Sequence, residues 1–213
     1  MDEEINKYNI ILFTDGACSK NGYSNACAGL GVYFGENDKR NFSEKIQGKQ
    51  TNNVAELSAI YKALIIVEKN LQIGEKILIV SDSEYSIRCC TTYGKKNYDQ
   101  NWKKDFPNKE LVKVIYEKIS QYQNQIFFKH IFSHTGKEDL FSKGNDNADK
   151  LANKAIGVTS NVSNEKIYLK VAYDQKDDAK LLGAKWDFKK KKWYIDKNVT
   201  IENKKKLIEL YSL

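Results

Sequence analysis

Apolar residues along this 213-residue chain change period several times, and each change marks a new element. Residues 9–18 are a short apolar run that ends in an Asp-Gly turn, which predicts a buried strand. Residues 28–35 predict a second strand. Residues 39–47 alternate, with Phe42 and Ile46 on one side, and predict a third at an edge. Helical spacing then takes over at Val54, Leu57, Ile60, Tyr61, Leu64 and Leu71, with cap residues at Thr51-Asn52-Asn53 and a stop at Gly74. Residues 76–81 read as another buried strand, followed by a short helix from Glu84 to Cys90. Residues 91–107 are polar, aromatic and basic, and read as a loop with a broken helical turn. Leu111, Val114, Ile115, Ile119 and Tyr122 mark a further helix, 125–133 a fifth strand, 134–145 a glycine-containing loop and 146–157 a last helix.

Three strands in a meander followed by crossover units predict an α/β domain in which strands one, four and five pair in parallel. The small polar stretch 159–164 reads as a linker, which bounds a domain at 1–158. Beyond it, 166–173 predicts a strand, 175–182 a short helix closed by Gly183, 184–195 a hairpin and 200–211 a terminal helix. Residues 165–213 are thus expected to form a small α+β module.

Composition narrows the class. Hydrophobic residues make up 41% and charged residues 30%, and no apolar run reaches the ~18–20 residues of a spanning helix, so no membrane partner is expected. Met1-Asp2-Glu3-Glu4 is acidic, unlike a secretory or transit leader, which points to an intracellular protein, cytoplasmic or nuclear and not secreted. The net charge of +7 is uneven: residues 165–213 hold 13 Lys against 8 Asp and Glu. That local excess suits either solubility or a polyanionic partner. Cys18, Cys27, Cys89 and Cys90 form no C-x-x-C pair and read as thiols. His130 and His134 do not stand at zinc-ligand spacing from them.

Four acids carry the candidate chemistry. Asp15 follows Ile-Leu-Phe-Thr and Asp82 follows Ile-Leu-Ile-Val-Ser, so parallel neighbours would release both carboxylates at the same sheet edge, where open α/β sheets bind ligands. Glu56 and Asp149 stand three residues after Asn53 and Asp146. Each also has an ordinary reading, as turn residues for the first pair and as helix-start acids for the second. If all four converge, their mutual repulsion requires counter-charge, and oxygen-only ligands favour Mg²⁺ or Mn²⁺. Two such ions could serve phosphoryl transfer.

The strings Thr14-Asp15-Gly16-Ala17-Cys18, Thr51-Asn52-Asn53-x-Ala55-Glu56-Leu57, Ser81-Asp82-Ser83-x-Tyr85, Ser133-His134-x-Gly136 and Asn145-Asp146-x-x-Asp149-x-Leu151-Ala152 stand in that order. With them, residues 8–157 resemble the ribonuclease H family of the cellular HI type. The resemblance implies a five-stranded mixed sheet of order 3-2-1-4-5 flanked by helices. It also implies endonucleolytic hydrolysis of the RNA strand of RNA–DNA hybrids, leaving 5′-phosphate and 3′-hydroxyl ends. Asp15, Glu56, Asp82 and Asp149 match the family's metal-binding carboxylates for two Mg²⁺ ions, with Mn²⁺ as the alternative. His134 matches a proton-shuttling histidine. Cys18, Lys20, Asn21, Asn52, Asn53 and Glu56 fall where the family reads the ribose 2′-hydroxyl. Lys49, Thr51 and Asn108 match a pocket for a DNA-strand phosphate. Tyr85 and Tyr93 fall along the DNA channel. No small-molecule cofactor is implied, and the expected state is a monomer.

The chain also departs from that family. Lys49 replaces a more usual Arg, Ser133 a common Gly, and the interval from His134 to Asp149 is longer through Lys137–Gly144. The segment from Asp82 to Asn108 is short, with Lys95, Lys96, Trp102, Lys103 and Lys104 as a reduced handle for the duplex. In the module, Trp186, Phe188, Trp193 and Tyr194 surround Lys189–Lys192 and resemble a small uncharacterised domain found beside nucleic-acid-processing enzymes. The aromatics read as the core of a small fold or as part of a nucleic-acid-binding appendage, and the two readings are compatible. Two rival functions stand beside hybrid cleavage: a non-catalytic hybrid-binding protein, and a related metal-dependent nuclease or strand-transfer enzyme.

Overall fold

The computed structural model describes residues 5–133, 139–158, 167–187, 190–195 and 199–211. The chain divides into two compact units, 1–160 and 161–213.

The first unit is built on five strands: β1 (Ile10–Ser19), β2 (Cys27–Tyr33), β3 (Phe42–Lys45), β4 (Ile77–Ser81) and β5 (Ile126–His130), in spatial order β3-β2-β1-β4-β5. The meander β1-β2-β3 is antiparallel, and β1, β4 and β5 are parallel. Period-two alternation splits each central strand between two layers. Leu12, Ile77 and Ile79 face a large core that includes Leu57, Ile60, Leu64 and Ile115. That core lies against α1 (Asn52–Ile66), α2 (Glu68–Gln72), α3 (Glu84–Cys90), α4 (Thr92–Asp99) and α5 (Lys109–Ser120). Phe13, Leu78 and Val80 face the other way, towards Ala148 on α6 (Leu140–Ala155).

Several boundaries differ from the sequence-based expectation. β1 runs on to Ser19, because β2 continues to pair with it after β4 has ended at Ser81. The stretch expected as loop contains α4. Its stability comes from aromatic packing rather than from an apolar stripe: Tyr98 meets Tyr116 at 5.5 Å, and Trp102, 8% exposed, lies among Tyr98, Phe106 and Tyr116. Trp102 is therefore a core residue and not a surface handle. α6 begins at Leu140 rather than near 146, because Asp139 caps it by accepting from the amides of Phe141 and Ser142. The other cap is Thr51, which accepts from Val54 N–H, so neither Glu56 nor Asp149 is a helix-start acid.

The second unit contains β6 (Ile167–Leu169), a 3₁₀ turn at Tyr173–Gln175, α7 (Lys176–Leu181), β7 (Lys185–Asp187), β8 (Lys192–Ile195) and α8 (Ile201–Tyr211). Its antiparallel sheet has order β6-β8-β7. Leu169, Ala179, Ala184, Ile195, Leu207 and Tyr211 form its core. The expected linker at 159–164, together with Phe188 and Lys189 of the hairpin, lies outside the described residues. Among the described residues no helix is long and apolar enough to cross a membrane.

Candidate active site

Asp15 sits where the parallel part of the sheet ends. Its neighbour β4 pairs only with Ile10–Phe13, so from Thr14 onwards that side of β1 has no strand beside it, and Asp82 emerges there directly after Ser81. Two glycines bring helices down onto the same point. A methyl group at Gly16 would collide with the backbone amide of Glu56, so its absence lets α1 lie against β1. Gly31 pairs with Asp15 across the β1–β2 ladder, and a methyl group there would collide with the Ala148 carbonyl, so its absence lets α6 settle on the opposite face. Asp15 is thus held between the two helices that carry Glu56 and Asp149.

Ligand oxygens of Asp15, Glu56 and Asp82 lie within 4.8 Å of one another. Asp149 stands outside that group of three, yet near enough for its charge to act on the Asp15 carboxyl. Asp15 and Glu56 are almost fully buried, at 6% and 5% exposure, so charge there has little water to stabilise it. Burial first, and the charges of Asp82 and Asp149 next, push the Asp15 carboxyl up to about 8, although the Gly16 amide donates to it at 2.7 Å. Burial and then the Asp15 charge push Glu56 well above the carboxylate range, and one of its oxygens has no hydrogen-bond partner. An orphaned buried carboxylate oxygen within a ring of acids fits a cation, and the all-oxygen donor set fits a hard divalent one.

Two asparagines orient the acids. Asn145 is buried and donates to Asp82 Oδ2 at 3.2 Å, and Asn153 donates to Asp149 Oδ1 at 2.6 Å. With Asp149 they stand at i, i+4 and i+8 on α6. That spacing is visible in the sequence, but the expected loop up to residue 145 concealed it. His130 was also missed: its Nε2 lies 3.1 Å from the Asp82 carbonyl. His134 lies outside the described residues.

The other expected contacts fall into two groups. Beside the acids, Asn21 Oδ1 accepts from the Asn52 amide at 3.2 Å, which ties the β1–β2 turn to the start of α1. Lys20 in that turn has a left-handed backbone, φ 51°, and the Cys18 thiol points at the Gln50 carbonyl. Further along, Asn53, Tyr85 and Tyr93 line a groove of about 500 Å³ with Arg88, Phe106 and Pro107. Asn108 donates to the Tyr85 hydroxyl at 3.2 Å and so joins this group. Burial raises the Tyr85 phenol, which keeps it a neutral donor. Lys49 is exposed, and the Thr51 hydroxyl is committed to its cap. Arg88 and Phe106 were not anticipated.

Residues 7–157 match a family model described as RNase H, and residues 166–207 match one described as Domain of unknown function (DUF5710). Ribonuclease H1 of Mus musculus is 35% identical over 152 residues, covering 67% of this chain and 48% of that protein. Ribonuclease H of Clostridium botulinum (strain Hall) is 29% identical over 150 residues, covering 69% of this chain and 95% of that protein. The chain thus spans about half the length of the mammalian relative. Among solved structures, the PFV RNase H domain superposes with a TM-score of 0.58 at 24% identity, covering 72% of this chain and 97% of that one, and so shares the fold.

Proposed function

The chain belongs to the RNase H family, and from that premise we propose that it hydrolyses the RNA strand of RNA–DNA hybrids endonucleolytically. The observation that carries this reading is the convergence of Asp15, Glu56 and Asp82 within 4.8 Å, with Asp149 near enough for its charge to act on Asp15.

In this reading the four carboxylates hold two divalent cations, Mg²⁺ or Mn²⁺. Bound there, the pair would activate a water for attack on a phosphodiester and neutralise charge on the leaving 3′-oxygen. The protein's own part is preorganisation. Gly16 N–H fixes one oxygen of Asp15, Asn145 aims Asp82, and Asn153 aims Asp149, so the donors need little rearrangement. The raised affinity of Asp15 and Glu56 for protons is relieved when they face cations, which makes metal uptake release protons.

Substrate choice is assigned to the two flanking groups. Cys18, Lys20, Asn21, Asn52 and Asn53, with Glu56, approach the ribose, where a 2′-hydroxyl separates RNA from DNA. Lys49, Thr51 and Asn108 take a DNA-strand phosphate, with Lys49 acting as a point charge. Tyr85 and Tyr93 line the path of the DNA strand. His134 is assigned to proton transfer, a task that imidazole side chains suit near neutral pH. The products carry 5′-phosphate and 3′-hydroxyl ends. The assigned state is a monomer, and four free thiols suit a reducing, intracellular setting. Residues 1–158 are assigned the chemistry.

The test is incubation with end-labelled RNA–DNA hybrid, double-stranded RNA, double-stranded DNA and single strands, with and without Mg²⁺. Mg²⁺-dependent cuts confined to the RNA of the hybrid are expected. Hybrid binding without cleavage would overturn the catalytic reading, and cleavage of another duplex would overturn the substrate.

A further inference from the structure

The second unit has its own cleft, distinct from the carboxylates. It is about 220 Å³ and is lined by Trp186, Trp193, Leu169, Lys170, Lys191 and Lys192, with no acid in its lining among the described residues. Trp186 and Trp193 face each other across β7 and β8, with ring centroids 5.5 Å apart and planes at 64°. Trp193 packs against the core of the unit, and Trp186, opposite it on the edge strand β7, is 39% exposed. An indole on an edge strand, more than a third of it in water in a cleft lined by lysines, leaves part of its ring available to a ligand.

Lys191 adds a second observation. Its backbone is left-handed, φ 50°, in the turn between the two strands. Glycine or asparagine adopts that conformation at lower cost, so a lysine there retains a charge against local backbone preference. The acid of the hairpin, Asp187, accepts from the Tyr168 hydroxyl at 3.0 Å and from the Lys190 amide at 3.1 Å.

We propose that this cleft binds single-stranded nucleic acid, with an unpaired base stacked on Trp186 and the adjoining phosphates held by Lys170 and Lys191. A duplex keeps its bases stacked on one another and offers an indole no face, whereas a single strand offers both base and phosphate. Flat stacking with lysine contacts reads no base edge, so the site tolerates any sequence. The inference does not rest on the hybrid reading, because none of these residues contributes to the carboxylate site.

The test is fluorescence anisotropy of a fluorescein-labelled oligothymidylate with the full chain in EDTA. Trp186→Ala is expected to weaken binding about tenfold or more, and Trp186→Phe to restore most of it. Lys191→Gly suits the left-handed backbone and keeps the fold. It is expected to weaken binding and to reduce the slope of log affinity against log salt by about 0.7. Unchanged binding in both Trp186→Ala and Lys191→Gly would overturn the proposal, as would equal competition by a blunt duplex for the Trp186-dependent fraction. Hybrid cleavage is read separately: if the chain cuts no hybrid yet binds the oligonucleotide through Trp186, the proposed activity fails and this site stands.

Discussion

Replacing Asp15 by Asn should make the metal-free protein more stable while removing its activity. Unfolded, an aspartate titrates near 3.8, and in the folded site Asp15 titrates near 8. At pH 7 without metal, folding therefore requires this group to take up a proton across roughly three pH units, a cost on the order of 4 kcal/mol. The sign follows from the raised value. A raised acid pKa leaves the metal-free fold most stable below about 4 and erodes it as pH climbs through about 8. Asparagine has nearly the same shape, keeps an oxygen to accept from Gly16 N–H, and carries no charge to desolvate. Asp15→Asn should thus gain about 2–4 kcal/mol at pH 7 in EDTA, and much less at pH 4. The assay is urea unfolding followed by hydrogen-exchange protection in β1 and β4, which reads the first unit alone. Adding Mg²⁺ should stabilise the unsubstituted protein more than the variant. An Asn variant no more stable than the parent in EDTA at pH 7 would refute the claim that these acids repel one another in a buried site.

Asp149→Asn should abolish hybrid cleavage with hybrid binding retained, measured by gel assay beside anisotropy. Asn145→Ala removes the donor that aims Asp82 and should raise the Mg²⁺ concentration for half-maximal rate about 10- to 100-fold, read from a metal titration at fixed substrate. Gly31→Ala forces a methyl group against the α6 backbone and should cost about 1–3 kcal/mol or more in urea unfolding, with cleavage falling in parallel. His134→Ala should slow turnover far less than any carboxylate change, and an equal loss in single-turnover rate would reassign its role.

The strand pattern was legible because each strand has a clean chemical signature. The runs at 9–18 and 76–81 are bounded by turn residues, and the switch to helical spacing after Thr51 forces a crossover and hence parallel pairing. Helix α6 was harder. Gly144 reads as loop, yet it is glycine because the Phe13 ring occupies the place of its side chain, and that contact spans over a hundred residues. Helix α4 was hidden for a related reason: its polar, lysine-bearing sequence has weak local preference, and the Tyr98, Trp102 and Tyr116 cluster that fixes it is tertiary. The four acids were visible through motif order, whereas Asn145 and Asn153 became visible only once the helix they share had its true start. What Gly16 and Gly31 permit, the descent of two helices onto one aspartate, depends on packing that no local pattern records.

The most direct measurement is anomalous scattering from Mn²⁺ in crystals of the Asp149→Asn protein bound to an uncleaved hybrid. Density among Asp15, Glu56 and Asp82, against a phosphodiester of the RNA strand, is the expected result. Manganese bound elsewhere, or the DNA strand at the carboxylates, would contradict it.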